Sequence, residues 1–202
     1  MTILVICKDK DGWVLGSDRQ QSNGNLKQLT TKPKIFSKKV ETIDKDNQII
    51  KTENLWIGFT GYSRVGYYMY HNFKFGQKLD EDSYVKYLYK ELRKFKTSLD
   101  DYGLMKEKDK LSDSGTWSII LLDNHVYSID NNMGITENEE DYYADGCATD
   151  LALGSLYTSK GSGYDAEGRV KLALECANYH DCYCNDHYDI VKVDKRGECV
   201  KE

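Results

Sequence analysis

The second residue of the chain is a threonine, and its place next to Met1 gives it two reactive groups at once. Once Met1 is removed, Thr2 presents a hydroxyl and a free α-amine on a single residue. A hydroxyl is a weak nucleophile near neutral pH and needs an adjacent base. An α-amine titrates at roughly 7.7–8.0, close to the pH at which a general base works best. Nucleophile and base are then one residue, and the scaffold has only to hold a chain end. Such a residue needs a cation to keep the amine neutral and favour the alkoxide, a carboxylate to orient that cation, and backbone N–H donors for an oxyanion. Lys34 opens one predicted strand and Asp18 ends another, so both are placed to converge on a terminus paired between them. A chain that keeps Met1 is silent by this mechanism.

The elements that must position these groups follow from periodicity and turn chemistry. Thr2–Lys8 is a β-branched run, Asp9–Gly12 a turn, and Trp13–Ser17 the returning strand, so a hairpin begins at the terminus itself. Gln20–Thr31 is polar, contains Asn23-Gly24, and reads as loop. Lys34–Ile43 and Gln48–Thr52 form a second hairpin, and Leu55–Thr60 is a buried strand stopped by Gly61. Ser63–Phe75 has Val65, Tyr68, Met69 and Phe73 at helical spacing. Ser83–Leu99 lines Val85, Leu88, Tyr89, Leu92 and Phe95 along one face, with Ser83 as N-cap. After the polar connection Asp100–Asp113 comes a hairpin of Thr116–Leu122 and His125–Ile129, the acidic loop Asn131–Asp141 and a short strand Tyr142–Ala144. Helices Thr149–Thr158 and Asp165–Tyr179 flank the turn Lys160–Gly163, with Val170, Leu172, Leu174 and Cys176 inside the second. Strands at Asp189–Val193 and near Glu198–Val200 close the chain. Strands, two helices, strands, two helices, strands: the order suits two sheets face to face with a helix pair outside each, an α+β sandwich of four layers. Sheets covered on both faces explain uninterrupted apolar runs such as Ile3–Ile6 and Ile119–Leu122.

Composition narrows the function. At 202 residues the chain, 1–202, suits one domain with a substantial core, and its single proline, Pro33, argues against a Pro-rich linker. A net charge of -5 offers no basic footprint, so neither nucleic acid nor an anionic membrane is an expected partner. No apolar run reaches the length of a membrane span. The short apolar start has no basic leader, and six cysteines in such a chain read as reduced thiols of a cytoplasmic protein.

Here the residues gather into a resemblance. Thr2-Ile3-Leu4-Val5, Asp11–Arg19, Ser22-Asn23-Gly24 and Lys34-Ile35-Phe36 resemble the opening of a proteasome β-subunit, and equally the related peptidase of the bacterial two-component ATP-dependent protease. The spacing Thr2–Asp18–Lys34 matches that family without a gap. Ile57–Gly61 resembles its strand ending in a small residue and glycine. Asp145–Ala148 with Ala152–Gly154 resembles its Gly-Ser-Gly segment before a helix. Ala177–Asn185 resembles the segment holding its second catalytic aspartate. The likeness runs from Thr2 to about Val193, with a longer Lys38–Glu53 hairpin inserted. It implies the amino-terminal nucleophile hydrolase fold, a four-layer αββα sandwich, and a threonine endopeptidase working without a cofactor on protein or peptide substrates. It also implies homo-oligomeric rings, served in some members by an ATPase unfoldase.

Carried over residue by residue, the resemblance makes Thr2 nucleophile and base, with Lys34 and Asp18 as the supporting pair. Gly61 becomes the oxyanion donor and Asp181 an orienting acid. Ser22 would hold substrate backbone, and Phe59 would border the specificity pocket. The chain departs from the pattern at Cys147 and Cys184, which stand where the family usually has two serines beside the amine; a thiol is the poorer hydrogen-bond partner. Tyr62 is bulky where the family favours a small residue.

Each feature also has a plainer reading: Thr2 as a strand residue, Asp18 and Lys34 as a surface ion pair worth little, Gly61 as a turn, Asp181 as a helix end. The spacing favours the active reading. His180–His187 holds two cysteines and two histidines, but Cys-x-Cys is tighter than finger spacing and no second knuckle exists, so zinc is not expected. Gly161-Ser162-Gly163 lacks a dinucleotide fingerprint, and Asp130–Asp141 does not fit a calcium loop. Two other readings stand beside the peptidase: a non-catalytic ring or scaffold subunit that retains the fold, favoured by Cys147 and Cys184, and an amidase of the wider amino-terminal nucleophile superfamily.

Overall fold

Every residue from Thr2 to Cys7 is buried, and alternate side chains enter different layers. In the computed structural model, which describes residues 2–23, 26–108 and 111–200, this run is the first half of strand β1 (Ile3–Asp9). Ile3, Val5 and Cys7 pack toward helices, whereas Leu4 and Ile6 pack toward a second sheet. The period of two in a strand makes both faces apolar when both are covered. β1 therefore sits inside a sandwich.

β2 (Gly12–Asp18) returns antiparallel to β1, and a small hairpin of β3 (Gln20–Asn23) and β4 (Leu26–Leu29) follows. β5 (Ile35–Ile43) pairs with the long β6 (Ile49–Gly61), which leads into helix α1 (Ser63–His71). Then come β7 (Lys78–Leu79), helix α2 (Tyr84–Asp101) and a hairpin of β8 (Lys106–Lys108) and β9 (Leu111–Asp113). β10 (Thr116–Leu122), β11 (His125–Ile129), β12 (Ile135–Asn138) and β13 (Tyr142–Gly146) precede helices α3 (Thr149–Thr158) and α4 (Ala166–His180), and β14 (Tyr188–Asp194) ends the series. One sheet has the order β13-β1-β2-β14 and the other β12-β11-β10-β6-β5-β7.

Three apolar clusters separate the four layers. Leu4, Ile6, Trp13 and Leu15 of one sheet meet Ile35, Trp56, Ile119 and Leu121 of the other. Val170, Ala173, Leu174 and Leu156 of α3 and α4 cover the outer face of the four-stranded sheet. Val65, Met69, Leu88, Leu92, Phe95 and Leu99 of α1 and α2 cover the six-stranded one. The α+β class and the αββα layering are those expected from the element order.

The differences are local. Gln20–Thr31, expected as loop, forms the β3–β4 hairpin, whose strand β4 is exposed throughout and so lacks the apolar alternation that marks a strand. The acidic stretch expected as loop contains β12, an edge strand on β11 with only intermediate or exposed residues. Gln48–Thr52 and Leu55–Thr60 are one strand, β6, and β7 adds a short parallel edge to an otherwise antiparallel sheet. α1 stops at His71; Phe73 still turns inward, its ring centroid 4.9 Å from that of Phe95. In α2 the buried stripe includes Tyr87 rather than Tyr89, because the Tyr87 hydroxyl donates to the Gly76 carbonyl at 2.8 Å while Tyr89 faces out. Ser83 is the N-cap, accepting from Lys86 N–H at 3.2 Å, and Asp165 caps α4 in the same way. Leu172 and Cys176, expected inside α4, are only partly buried, since Ala173 and Ala177 take the inner stripe.

Phe95 joins α1, α2 and the segment beyond α1, so its truncation tests the outer core. Phe95→Ala should cost about 3–5 kcal/mol, read as a lower urea midpoint at unchanged slope.

Candidate functional site

The register of β1 on β2 sets the site. Leu4 pairs with Ser17, which brings the next positions, Ile3 and Asp18, side by side at the open end of the hairpin. The Ile3 N–H donates to Asp18 Oδ1 at 3.1 Å, and the Gln20 N–H donates to Asp18 Oδ2 at 3.0 Å. Lys34, just before β5 of the other sheet, reaches across and donates from Nζ to Asp18 Oδ1 at 3.0 Å and to the Gln20 carbonyl at 2.5 Å. The pair is enclosed: Asp18 is 1% and Lys34 4% exposed. Burial pushes the Asp18 carboxyl up and the Lys34 ammonium down. The partner's charge opposes each drift, and at Asp18 the two backbone donors oppose it as well.

Thr2, itself buried, shares a cavity of about 90 Å³ with Gln20, Gln21, Ser22, Lys34, Phe59, Gly61, Tyr62, Ser63 and Tyr67. The sequence-derived positions Thr2, Ser22, Lys34, Phe59 and Gly61 thus line one space. Gln20 holds Ser22 Oγ through Nε2 at 3.0 Å, and Phe59 meets Tyr67 edge to face with centroids 5.3 Å apart. Gly61 ends β6 at φ +86°, and a Cβ there would stand 2.2 Å from the Gly115 carbonyl oxygen, so only glycine fits.

A second cavity of about 260 Å³ opens on the other side of Thr2, lined by Thr60, Gly61, Trp117, Asp145, Gly146 and Cys147. Thr2 and Gly61 border both. Here the Thr2 carbonyl accepts from the Cys147 N–H at 3.0 Å and lies 3.4 Å from the Cys147 sulfur. Gly146, at φ +127°, permits this approach, because a Cβ would fall 2.0 Å from the Thr2 oxygen.

Cys184, from the turn after α4, places its sulfur 3.6 Å from that of Cys147. Both thiols are free, Cys147 exposed and Cys184 buried. The sulfur–sulfur hydrogen bond holds the Cys147 thiol below its ordinary value and pushes the Cys184 thiol up. Asp181 follows the last turn of α4 and accepts from the Tyr183 N–H at 2.7 Å. One of its oxygens and the two sulfurs all lie within 4.8 Å of one another.

Sequence reasoning did not single out Gln20, Trp117 or Asp145. Gln20 fell in the segment expected as loop, yet its backbone supplies one donor to Asp18 and one acceptor to Lys34. Trp117 and Asp145 carry a weak signal at best: each lies at a strand end on the face turned toward the other sheet, with Asp145 opposite Leu4, and burial pushes the Asp145 carboxyl up.

The fold has counterparts among solved structures. Thiobacillus denitrificans BPH superposes with a TM-score of 0.75 at 15% identity over 98% of this chain and 100% of that one. The same protein in complex with epoxomicin gives 0.73 at 15% identity over 94% and 96%. The eukaryotic HslV from Trypanosoma brucei gives 0.60 at 18% identity over 93% and 97%. The fold is HslV-like. By sequence the chain matches no protein-family model and no curated protein.

Within this HslV-like frame the Lys34–Asp18 pair can be tested as structure. Lys34→Met strands a buried carboxylate and should destabilise the protein by about 3–5 kcal/mol, whereas Lys34→Met with Asp18→Leu should recover most of that loss. Chemical denaturation of the two variants distinguishes this from a surface pair, whose loss costs under about 1 kcal/mol.

Proposed function

We propose that this chain is a threonine-type peptidase subunit that hydrolyses peptide bonds through an acyl-enzyme on Thr2 after Met1 is removed. The observation that carries the reading is one cavity lined by Thr2, Gly61 and a buried Lys34 held by Asp18. In this mechanism the free α-amine of Thr2 takes the proton from its own hydroxyl, and the oxygen attacks the scissile carbonyl. The Lys34 ammonium, fixed by Asp18 and the Gln20 carbonyl, favours the alkoxide and disfavours a charged amine beside it. The Gly61 N–H meets the oxyanion. The amine then returns the proton to the leaving nitrogen, and a water activated the same way releases the acyl group. Asp181 steadies the terminus, Ser22 holds substrate backbone, and Phe59 borders the pocket for the residue before the cleaved bond. Tyr67, Gln21 and Ser63 complete that pocket's wall, a lining suited to a modest side chain with a polar end. That a protein of this fold is known in complex with epoxomicin supports the reading.

The family resemblance in the sequence extends this reading to a homo-oligomeric ring acting on protein substrates in the cytoplasm, with an ATPase unfoldase as partner. A second reading, a non-catalytic ring subunit, is favoured by one observation: thiols, not hydroxyls, stand at Cys147 and Cys184 beside the Thr2 carbonyl.

Labelling separates the two. Chain purified from a host that removes Met1 should gain one epoxyketone adduct at Thr2 by intact mass, and Thr2→Ala should gain none. Peptide hydrolysis should fall about 10³-fold or more in Thr2→Ala. Quantitative retention of Met1, or labelling that persists in the variant, would sink the proposal. Because the neutral amine is the base and a neighbouring ammonium lowers its pKa, kcat/KM should rise with pH through a limb below roughly 8. A flat profile across that range would remove the amine from the mechanism.

A further inference from the structure

We propose that Cys147, Cys184 and Asp181 form a zinc site beside Thr2. Sequence reasoning considered zinc only for the run His180–His187 and set it aside on spacing; the fold instead recruits Cys147, 37 positions from Cys184. The geometry carries the inference. Two sulfurs on one tetrahedral zinc, each at about 2.3 Å, stand about 3.8 Å apart, and here they are 3.6 Å apart without being bonded. An Asp181 oxygen lies within 4.8 Å of both. Backbone fixes the ligands on two segments: the Cys147 N–H is bonded to the Thr2 carbonyl, while in the turn after α4 the Cys184 N–H is bonded to the Asp181 carbonyl and the Tyr183 N–H to an Asp181 side-chain oxygen. Two thiolates with one carboxylate suit zinc rather than magnesium or calcium, which take oxygen ligands. Binding releases the two thiol protons and leaves the site at a net charge of one minus, near the Lys34 ammonium. Cys147 stands just before α3, where a helix N-terminus favours thiolate.

The Cys147 sulfur lies 3.4 Å from the Thr2 carbonyl oxygen, so after removal of Met1 a zinc ion held by Cys147, Cys184 and Asp181 would compete for the amine lone pair that the peptidase needs as its base. Zinc then silences Thr2, and this consequence alone rests on the peptidase reading.

The site itself is tested without activity, on the full chain carrying Thr2→Ala and reduced with a phosphine. One equivalent of cobalt(II) should give thiolate-to-metal charge-transfer absorption, and zinc should bleach it. Cys147→Ser should weaken binding by about 100-fold; the exposed position of Cys147 spares the fold, which circular dichroism checks. Cys147→Ser with Cys184→Ser should remove the band, and Cys176→Ser should leave it. A reduced chain without the band overturns the proposal. So does a band that survives the double substitution and disappears with Cys182→Ser, because the metal would then lie on the exposed turn. In processed wild-type chain, stoichiometric zinc should block epoxyketone labelling and a chelator should restore it. Labelling unaffected by bound zinc would overturn the regulatory role while the cobalt band stands, and labelling absent with and without zinc would refute the peptidase reading instead.

Discussion

A buried lysine and a buried aspartate, 3.0 Å apart, hold this end of the molecule together. Each ion is costly to bury alone, and their attraction repays the cost only where further hydrogen bonds satisfy what remains. Asp18 has those bonds from Ile3 and Gln20, and Lys34 has the Gln20 carbonyl. The partners come from different sheets, Asp18 ending β2 and Lys34 leading into β5. The ion pair therefore fixes how the two sheets approach at this edge. Through Ile3 it also fixes where the chain terminus lies.

The rest of the fold serves that placement. A residue next to a chain end ordinarily frays, since few contacts oppose its entropy. Here Thr2 immediately precedes β1, whose first five side chains are divided between two apolar layers, with β2 on one edge and β13 on the other. The backbone bond from Cys147 to the Thr2 carbonyl secures the last free group on that side. Thr2 and Gly61 line both cavities of the site.

The layers were legible because the sequence states them: uninterrupted apolar runs for β1 and β10, which are covered on both faces, and a helical period for α2. Thr116–Leu122, His125–Ile129 and Thr149–Thr158 fall on the expected residues. What escaped was structure whose residues bury little. β4 is exposed throughout and β12 has no fully buried residue, and their pairing is written in neighbouring backbone rather than in side-chain alternation. The convergence of Thr2, Lys34 and Gly61 was legible only through the family resemblance, since nothing local in Lys34-Ile35-Phe36 says that the lysine is buried. The supporting role of Gln20 was not legible at all, because it acts through its main chain.

Cys147 and Cys184 show how one substitution type changes what a site can do while keeping its geometry. A hydroxyl pair beside a terminal amine offers strong, directional hydrogen bonds and little affinity for a soft or borderline metal. A thiol pair offers weaker bonds and a far better ligand set. Both fit the same space, because their backbone positions are fixed by the Thr2 carbonyl and by the turn after α4, neither of which depends on the side chain. Under the proposed mechanism, weaker support for the amine and affinity for a cation would act in the same direction: each would leave the Thr2 amine less able to take the proton from its hydroxyl.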